Sequence, residues 1–189
     1  MSDKDRIDMD IFRVVTRAVA ESDNLETMVN HMAQLLVAAL EIKGCNMFIL
    51  NLEAEELEVL ATFGLSTAFL GKGPIMADRS IGCTLKGDPV IIPDTTDTDL
   101  LQYPKAVEQE GIRAIVSIPI VFNREAVGVL RLYHHKVWNI SERDVESLMI
   151  LGENIGLAAM FTLLVNSLQF VNKAIQDLPM ELTRLLRER

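Results

Sequence analysis

The sequence has little cysteine, few aromatic residues and no excess of positive charge. Its two cysteines, Cys45 and Cys83, lack CxxC spacing and allow at most one bridge, which excludes a disulfide framework and a cysteine-rich zinc site. With 18 Lys and Arg against 27 Asp and Glu, the net charge of -9 disfavours binding to nucleic acid or anionic lipid. We therefore expect a protein of a reducing compartment that does not bind nucleic acid.

The sequence also shows no pattern typical of a signal peptide or of a membrane-spanning segment. The N-terminal stretch "MSDKDRIDMD" alternates charged and apolar residues, unlike the apolar centre of a signal peptide. The longest apolar stretch, 148–165, is interrupted by Glu153 and Asn154, and the remainder is too short to span a bilayer. We expect a cytoplasmic protein without membrane insertion.

Motifs for catalysis and metal binding are absent. The chain has neither GxGxxG nor GxxxxGK[ST], and it shows no pattern of Ser, His and acid that sequence can assemble. His134 and His135 are neighbours on a predicted strand, so they point to opposite faces and cannot chelate one metal. Asp94, Asp97 and Asp99 lack the Gly and Glu positions of an EF-hand loop. We predict no metal site and no enzyme, and the sequence identifies no cofactor.

Hydrophobic periodicity predicts helices at both ends of the chain and two hairpins between them. Helices are expected over 7–21, over 25–40 after a cap at Asp23 or Asn24, and from Ser141 to about 173. The hairpins are "CNMFIL" with "LEVLATF" and "RAIVSIPIVF" with "VGVLRLYHH". The long Gly-, Pro- and Asp-rich region between them is typical of a ligand cover. The order predicts an α+β fold with an antiparallel sheet between terminal helices and covering loops.

Four stretches resemble the GAF domain family, the small-molecule-sensing relatives of PAS domains: "CNMFILN", "GDPVIIPD", "RAIVSIPIVFNREAVGVLRLYHH" and "WNISERDVESLMILGENIGLAA". The resemblance implies a central antiparallel sheet of about six strands, with a ligand pocket under the loops and terminal helices on the opposite face. It divides the chain into an N-terminal helix at 1–23, a GAF domain at 24–166 and a C-terminal helical extension at 167–189.

A GAF sensor would bind an unidentified small molecule and act as a homodimer on a separate effector protein. Strand alternation puts Asn46 and Phe48 on one face, and Ser117 and Arg131 are polar residues within apolar strands. An arginine on a pocket strand favours an anionic or carboxylate ligand. Together with candidates from the covering loops, the predicted ligand-binding residues are Asn46, Phe48, Ser80, Asp94, Thr95, Tyr103, Ser117 and Arg131.

Two alternatives remain open at this point. The first is a thiol-dependent free methionine-R-sulfoxide reductase, an enzymatic member of the resembled family. In that enzyme the corresponding motif resembles "GVCG", whereas this chain reads "SIGC" and has no cysteine between Asp94 and Gly111. We therefore expect Cys83 to be non-catalytic. The second alternative is a GAF fold that has lost its ligand and serves as a dimerisation scaffold.

The last long helix carries the predicted dimer interface. Its apolar residues form two neighbouring rows, and one sheet covers only one side of a helix, so a second subunit is expected on the other side. Small residues at the centre of one row would allow close helix contact. The predicted interface residues are Val145, Met149, Gly152, Gly156, Ala159 and Leu163.

Overall fold

The computed structural model describes residues 7, 9–22, 24–51, 56–73, 75–76 and 83–176. These residues form one antiparallel sheet of six strands in the order β3-β2-β1-β6-β5-β4. The strands are β1 (Gly44–Asn51), β2 (Glu56–Phe63), β3 (Ile75–Met76), β4 (Val90–Ile92), β5 (Ala114–Phe122) and β6 (Glu125–His134). Both predicted hairpins are present, and β1 and β6 pair with each other at the centre of the sheet.

The helices lie at the chain ends and in the covering segments. They are α1 (Met9–Ala20), α2 (Leu25–Leu40), α3 (Thr67–Leu70), α4 (Pro104–Gln109) and α5 (Glu142–Gln176), with a short 3-10 helix η1 (Thr84–Lys86). Asn24 caps α2, since its side-chain oxygen accepts a hydrogen bond from the N–H of Thr27 at 2.9 Å. Ser141 Oγ accepts from the N–H of Asp144 at 3.1 Å, which satisfies one free donor at the start of α5.

One face of the sheet packs against α2 and α5, and α1 packs on these two helices to complete the main core. Alternate residues of the central strands point into it, including Met47 of β1, Val116 of β5 and Leu130 of β6. They meet Met32 and Leu36 of α2, which are fully buried. The opposite face is covered by η1, α3 and α4, with smaller apolar clusters beneath them. The predicted α+β arrangement is therefore confirmed.

The first half of α5 lies directly on β5. A Cβ atom added at Gly152 would be 2.2 Å from the carbonyl oxygen of Pro119, and one added at Gly156 would be 2.1 Å from that of Val121. Only glycine permits this approach of helix to strand. The assignment of these two glycines to a second subunit is therefore corrected, because the backbone they approach belongs to the same chain.

The other predicted interface residues also face the sheet side of α5 or its flanks. Ala159 is buried, and Val145, Met149 and Leu163 are half-buried. Within the described residues, α5 is long and apolar enough to cross a membrane by length and composition, although 39% of its most apolar window is buried in the fold. Parts of the predicted N-terminal helix at 1–23 and of the predicted C-terminal extension at 167–189 lie outside the described residues, namely 1–6, 8, 23 and 177–189.

Candidate ligand site

A small cavity lies between the loop-covered face of the sheet and the elements above it. These elements are α3, η1, α4 and the described residues that adjoin them, and together they are called the cover. The free volume of the cavity is about 20 Å³, which is room for about one water molecule. The apolar part of the lining combines the sheet with the cover: Phe69, Ile75, Leu101, Val107 and Ile115. Any organic ligand therefore requires an outward displacement of the cover.

A polar row crosses the centre of the sheet on the face that carries the cavity, and it contributes Arg131 to the cavity lining. Arg131 of β6 lines the cavity and is 4% exposed. Its neighbours in the strand register are Asn46 on β1 and Ser117 on β5, which share its face. Thr62 of β2 continues the row beyond Asn46. The antiparallel register therefore collects four polar side chains from four strands on one face.

Hydrogen bonds hold part of this row in place. Thr62 Oγ1 donates to Asn46 Oδ1 at 2.6 Å, and Asn46 Nδ2 donates to Tyr133 Oη at 3.4 Å. The Arg131 guanidinium carbon lies 5.9 Å from the centre of the Tyr133 ring. Burial raises the pKa of Tyr133, and the charge of Arg131 opposes that rise. Tyr133 therefore enters the site as a neutral phenol that contacts the buried cation.

A second cation approaches the cavity from the cover. Lys72 follows α3 and lines the cavity, with its ammonium 3.8 Å from the centre of the Phe69 ring. Lys72 Nζ also donates to the Phe69 carbonyl at 3.1 Å. Burial, with repulsion from Arg131 as the second cause, lowers the pKa of Lys72 to about 8, and the charge of Glu110 partly opposes this. Two positively charged groups therefore influence each other across one small cavity.

Glu110 ties the cover to the sheet near this lysine. Its carboxylate accepts hydrogen bonds from the N–H of Ser66 at 3.1 Å and from Ser66 Oγ. It also pairs with Lys43 at 3.2 Å. Burial acts to raise the pKa of Glu110, but the hydrogen bonds from Ser66 and Lys43 outweigh it and lower the pKa overall. Glu110 thus joins the start of α3 and the end of α4 to the residue before β1.

The two covering segments also touch each other. Gly73 has a φ of 119°, and a Cβ added there would be 2.8 Å from the Tyr103 hydroxyl. Gln102 Nε2 donates to the same hydroxyl at 3.1 Å. Since Gln102 and Tyr103 both line the cavity, this contact closes it on the side away from the sheet.

The family model of the GAF domain matches residues 24–159 of this chain. The chain belongs to the GAF domain family. The GAF domain of a phosphoenolpyruvate-protein phosphotransferase from Coxiella burnetii superposes with a TM-score of 0.73 at 21% identity, covering 84% of this chain and 96% of that chain. A free methionine-R-sulfoxide reductase from Neisseria meningitidis, solved with its substrate, gives 0.67 at 15% identity, covering 82% and 91%. At these identities the two structures show the GAF fold alone.

The chain is also similar in sequence to part of a curated regulatory protein. The HTH-type transcriptional activator RamA of Corynebacterium glutamicum is 25% identical over 113 residues, which are 58% of this chain and 40% of RamA. The chain thus spans about two fifths of the length of the curated relative it matches. Family membership and fold support a small-molecule-binding or sensing module.

The structure brings together only part of the predicted GAF ligand set. Tyr103 and Arg131 line the cavity. Asn46 and Ser117 flank Arg131 in the strand register, on the same face and fully out of solvent. Phe48 shares that face but packs in a neighbouring apolar cluster with Leu57, Ile75 and Val129.

The remaining predicted residues lie elsewhere. Asp94 is outside the cavity lining and pairs with Arg113 at 2.9 Å. Hydrogen bonds from Thr96, with a further bond from Arg113, lower the pKa of Asp94 to about 2. Thr95 Oγ1 donates to the Ile112 carbonyl at 2.9 Å, which joins this loop to the start of β5. Ser80 lies outside the described residues.

Sequence reasoning missed several lining residues that alternation already implied. Ile115 and Tyr133 lie two positions from Ser117 and Arg131, so each must share the face of its neighbour. Lys72 had no such signal, because "GKGP" reads as an ordinary turn. Its position depends on how the cover folds back over the sheet.

The two cysteines lie on opposite sides of the sheet. Cys45 is buried in the core against the helices, and burial raises the pKa of its thiol far above the ordinary value. Cys83 is exposed at the start of η1, on the loop-covered side. The sheet therefore separates the two thiols, and they cannot form a bridge with each other.

Proposed function

We propose that this chain is a non-enzymatic GAF sensor that binds a small molecule in the loop-covered cavity and acts as a homodimer through α5. The observation that carries the proposal is the position of β5. Ile115 of this strand lines the cavity on one face, while Gly152 and Gly156 of α5 lie against backbone carbonyls of the same strand on the other. A ligand that shifts β5 must therefore shift α5.

The second half of α5 supplies a surface for the dimer. Large apolar side chains recur there with alternating spacings of four and three residues, and all are exposed: Leu157, Phe161, Leu164, Leu168, Val171 and Ile175. This spacing is that of a coiled-coil seam, which favours pairing with a second helix of the same pattern. At 3.6 residues per turn the seam lies on the side of α5 opposite Gly152 and Ile155, which face the sheet.

A second copy of the chain fits this seam better than a bilayer does. Polar residues occupy several of the other positions along the same part of the helix, among them Asn166, Gln169 and Lys173, although Phe170 off the seam is apolar and exposed. A helix surrounded by lipid is apolar on all sides, whereas a coiled coil is apolar along one stripe. Isologous pairing about a two-fold axis gives each seam an identical partner.

The output is proposed to pass from the paired helices to an effector protein in the cytoplasm. The match to part of the transcriptional activator RamA supports regulation as the role of the domain. Cys45 and Cys83 are both free thiols and lie on opposite sides of the sheet, which is compatible with the reducing environment of the cytoplasm.

Light scattering on the full chain tests the dimer. The wild type is expected to have a dimeric mass, and the double variant Phe161→Glu with Leu168→Glu is expected to be monomeric because it buries two carboxylates in the seam. The matched control, Asn166→Glu with Gln169→Glu, adds the same charge away from the seam and should stay dimeric. A monomeric wild type, or a seam variant that remains dimeric, would refute this arrangement.

Native mass spectrometry of the same sample tests sensing. A retained small molecule supports it, whereas an empty chain with an intact dimer favours the ligand-free scaffold, which the cavity of about 20 Å³ also fits. The reductase alternative is supported by fold similarity to enzymes such as the Neisseria reductase. It would replace the sensor if the chain reduced free methionine sulfoxide and Cys83→Ala abolished that reduction.

A further inference from the structure

The cavity contains two cations and no carboxylate among the described residues that line it. Arg131 is fixed on the central strand β6 and is 4% exposed, so its charge is held on the sheet side of the cavity. Lys72 belongs to the cover and lies between α3 and β3 in the chain. A fixed cation on one wall and a longer, adjustable cation on the other make a pair that can close on a group of negative charge.

Buried hydroxyl groups lie on the same side of the sheet. Ser117 is in register with Arg131 on the neighbouring strand, and Thr84 belongs to η1, which packs over β5 and β6. Both side chains are 0% exposed, and neither Ser117 Oγ nor Thr84 Oγ1 has a hydrogen-bond partner among the described residues. A buried hydroxyl without a partner is destabilising, and an oxyanion would accept a hydrogen bond from it.

The mutual repulsion of the cations points in the same direction. Arg131 contributes to the lowered pKa of Lys72, so bringing both charges to one cavity carries an electrostatic penalty. An anion between the two groups reverses the sign of that interaction, because each cation then faces an opposite charge. The pair of cations is in this sense organised for a negatively charged group.

We propose that the ligand carries a carboxylate or phosphate group that is held between Arg131 and Lys72, with Ser117 as a hydrogen-bond donor beside it. This assignment rests on the proposed sensing function and specifies its ligand class. Arg131 and Ser117 hold the anion from the sheet, while Lys72 holds it from the cover.

Binding must move the cover, since the cavity has a free volume of only about 20 Å³. The contact between Gly73 and Tyr103 is where the covering segments meet, and Lys72 precedes Gly73 in the chain. An anion that attracts Lys72 therefore pulls on this contact directly. The charge of the ligand is in this way linked to the position of the cover.

The test measures thermal shifts of the full chain with sodium phosphate and sodium succinate, against sodium chloride at the same ionic strength. At least one of the two anions is expected to raise the melting temperature beyond chloride. Lys72→Met and Arg131→Met should each raise the half-saturating concentration of the anion by about tenfold or more, because each variant loses a charged hydrogen bond to it. The control Lys136→Met removes an exposed cation and should bind like wild type.

The two probes distinguish the possible sources of the charge. A response to phosphate alone assigns a phosphate-bearing ligand, and a response to succinate alone assigns a carboxylate. No response to either probe, or an equal response in wild type and Lys72→Met, overturns the anion assignment, even if Arg131→Met fails to fold. A neutral molecule retained in native mass spectrometry would also overturn it while leaving sensing intact. An empty chain that responds to neither anion would reject both.

Discussion

The two faces of the sheet are built from the same strands but differ in chemistry. On the helix-covered face, alternate residues such as Met47, Val116 and Leu130 are apolar and fully buried. On the loop-covered face, the positions between them include Asn46, Ser117 and Arg131, which are as deeply buried. Burial of a polar group that lacks a hydrogen bond reduces stability, and Ser117 Oγ has no partner among the described residues. The comparison indicates that one face stabilises the fold, and it supports the proposal that the other face binds a ligand.

The largest expected effect concerns the stabilising face. Gly156→Val places a side chain where a Cβ alone would be 2.1 Å from the Val121 carbonyl, so α5 can no longer lie on β5. We expect a loss of about 3 kcal/mol or more in the free energy of unfolding, the upper end for overpacked cores. Urea denaturation measures it, with the exposed Glu153→Ala on the same helix as a control that should change little. Wild-type stability in Gly156→Val would contradict this contact.

A smaller loss is expected where the two covering segments meet. Gly73→Ala forces a residue with a side chain into a φ of 119° and pushes it against the Tyr103 hydroxyl. Such strain is worth about 1 to 3 kcal/mol. Chemical denaturation should show this loss, and limited proteolysis should show faster cleavage within the cover. Gly87→Ala has a similar strain at a φ of 102° but meets no atom within 4 Å, so it isolates the effect of the Tyr103 contact.

Lys72→Met is expected to stabilise the empty protein at neutral pH by about 1 kcal/mol, because it removes a partly buried charge that repels Arg131. The folded-state pKa of about 8 lies below the ordinary value of 10.5, so the unfolded chain holds the proton more tightly. The destabilisation in wild type is therefore complete below pH 8 and disappears as the pH rises to 10.5.

The advantage of Lys72→Met over wild type should shrink across that alkaline range. Denaturation midpoints of both proteins at several pH values measure the difference directly. The groups that act on the lysine, Arg131 and Glu110, are present in both proteins and cancel in the comparison. A difference independent of pH would show that the effect comes from packing and not from charge.

The smallest effect is expected for Ser117→Ala. Its hydroxyl has no partner among the described residues, so its removal should change the free energy of unfolding by no more than about 0.5 kcal/mol. Asn46→Ala in the same row should lower the free energy of unfolding by about 1 to 2 kcal/mol, because the half-buried hydroxyl of Thr62 then loses its hydrogen-bond acceptor. A large loss in Ser117→Ala would mean that the hydroxyl stabilises the fold, and it would remove the reason to assign it to a ligand.

Much of the architecture could be predicted from local patterns. The helical spacing of α2, the cap at Asn24 and the alternation in the two hairpins each depend on residues close in sequence. The sequence also marked Asn46, Ser117 and Arg131 as polar residues within apolar strands, and the strand register places them side by side on one face. The homodimer and its partner protein stay predictions.

The parts that failed depend on contacts distant in sequence. The covering loop residues Asp94 and Thr95 were candidates for the ligand, but they pair with Arg113 and Ile112 at the start of β5. The glycines of α5 allow close packing in either setting, and only the position of β5 shows that they contact their own chain.

The sequence by itself determined the terminal helices, the two hairpins and which strand positions share a face, because helix and strand periods are local properties of the backbone. Only the tertiary structure decided which face each helix covers, and that Lys72 meets Arg131 in one cavity. The two residues come from different segments, and the folded cover brings their charges together. Such a meeting depends on chain path and packing, which no local pattern records.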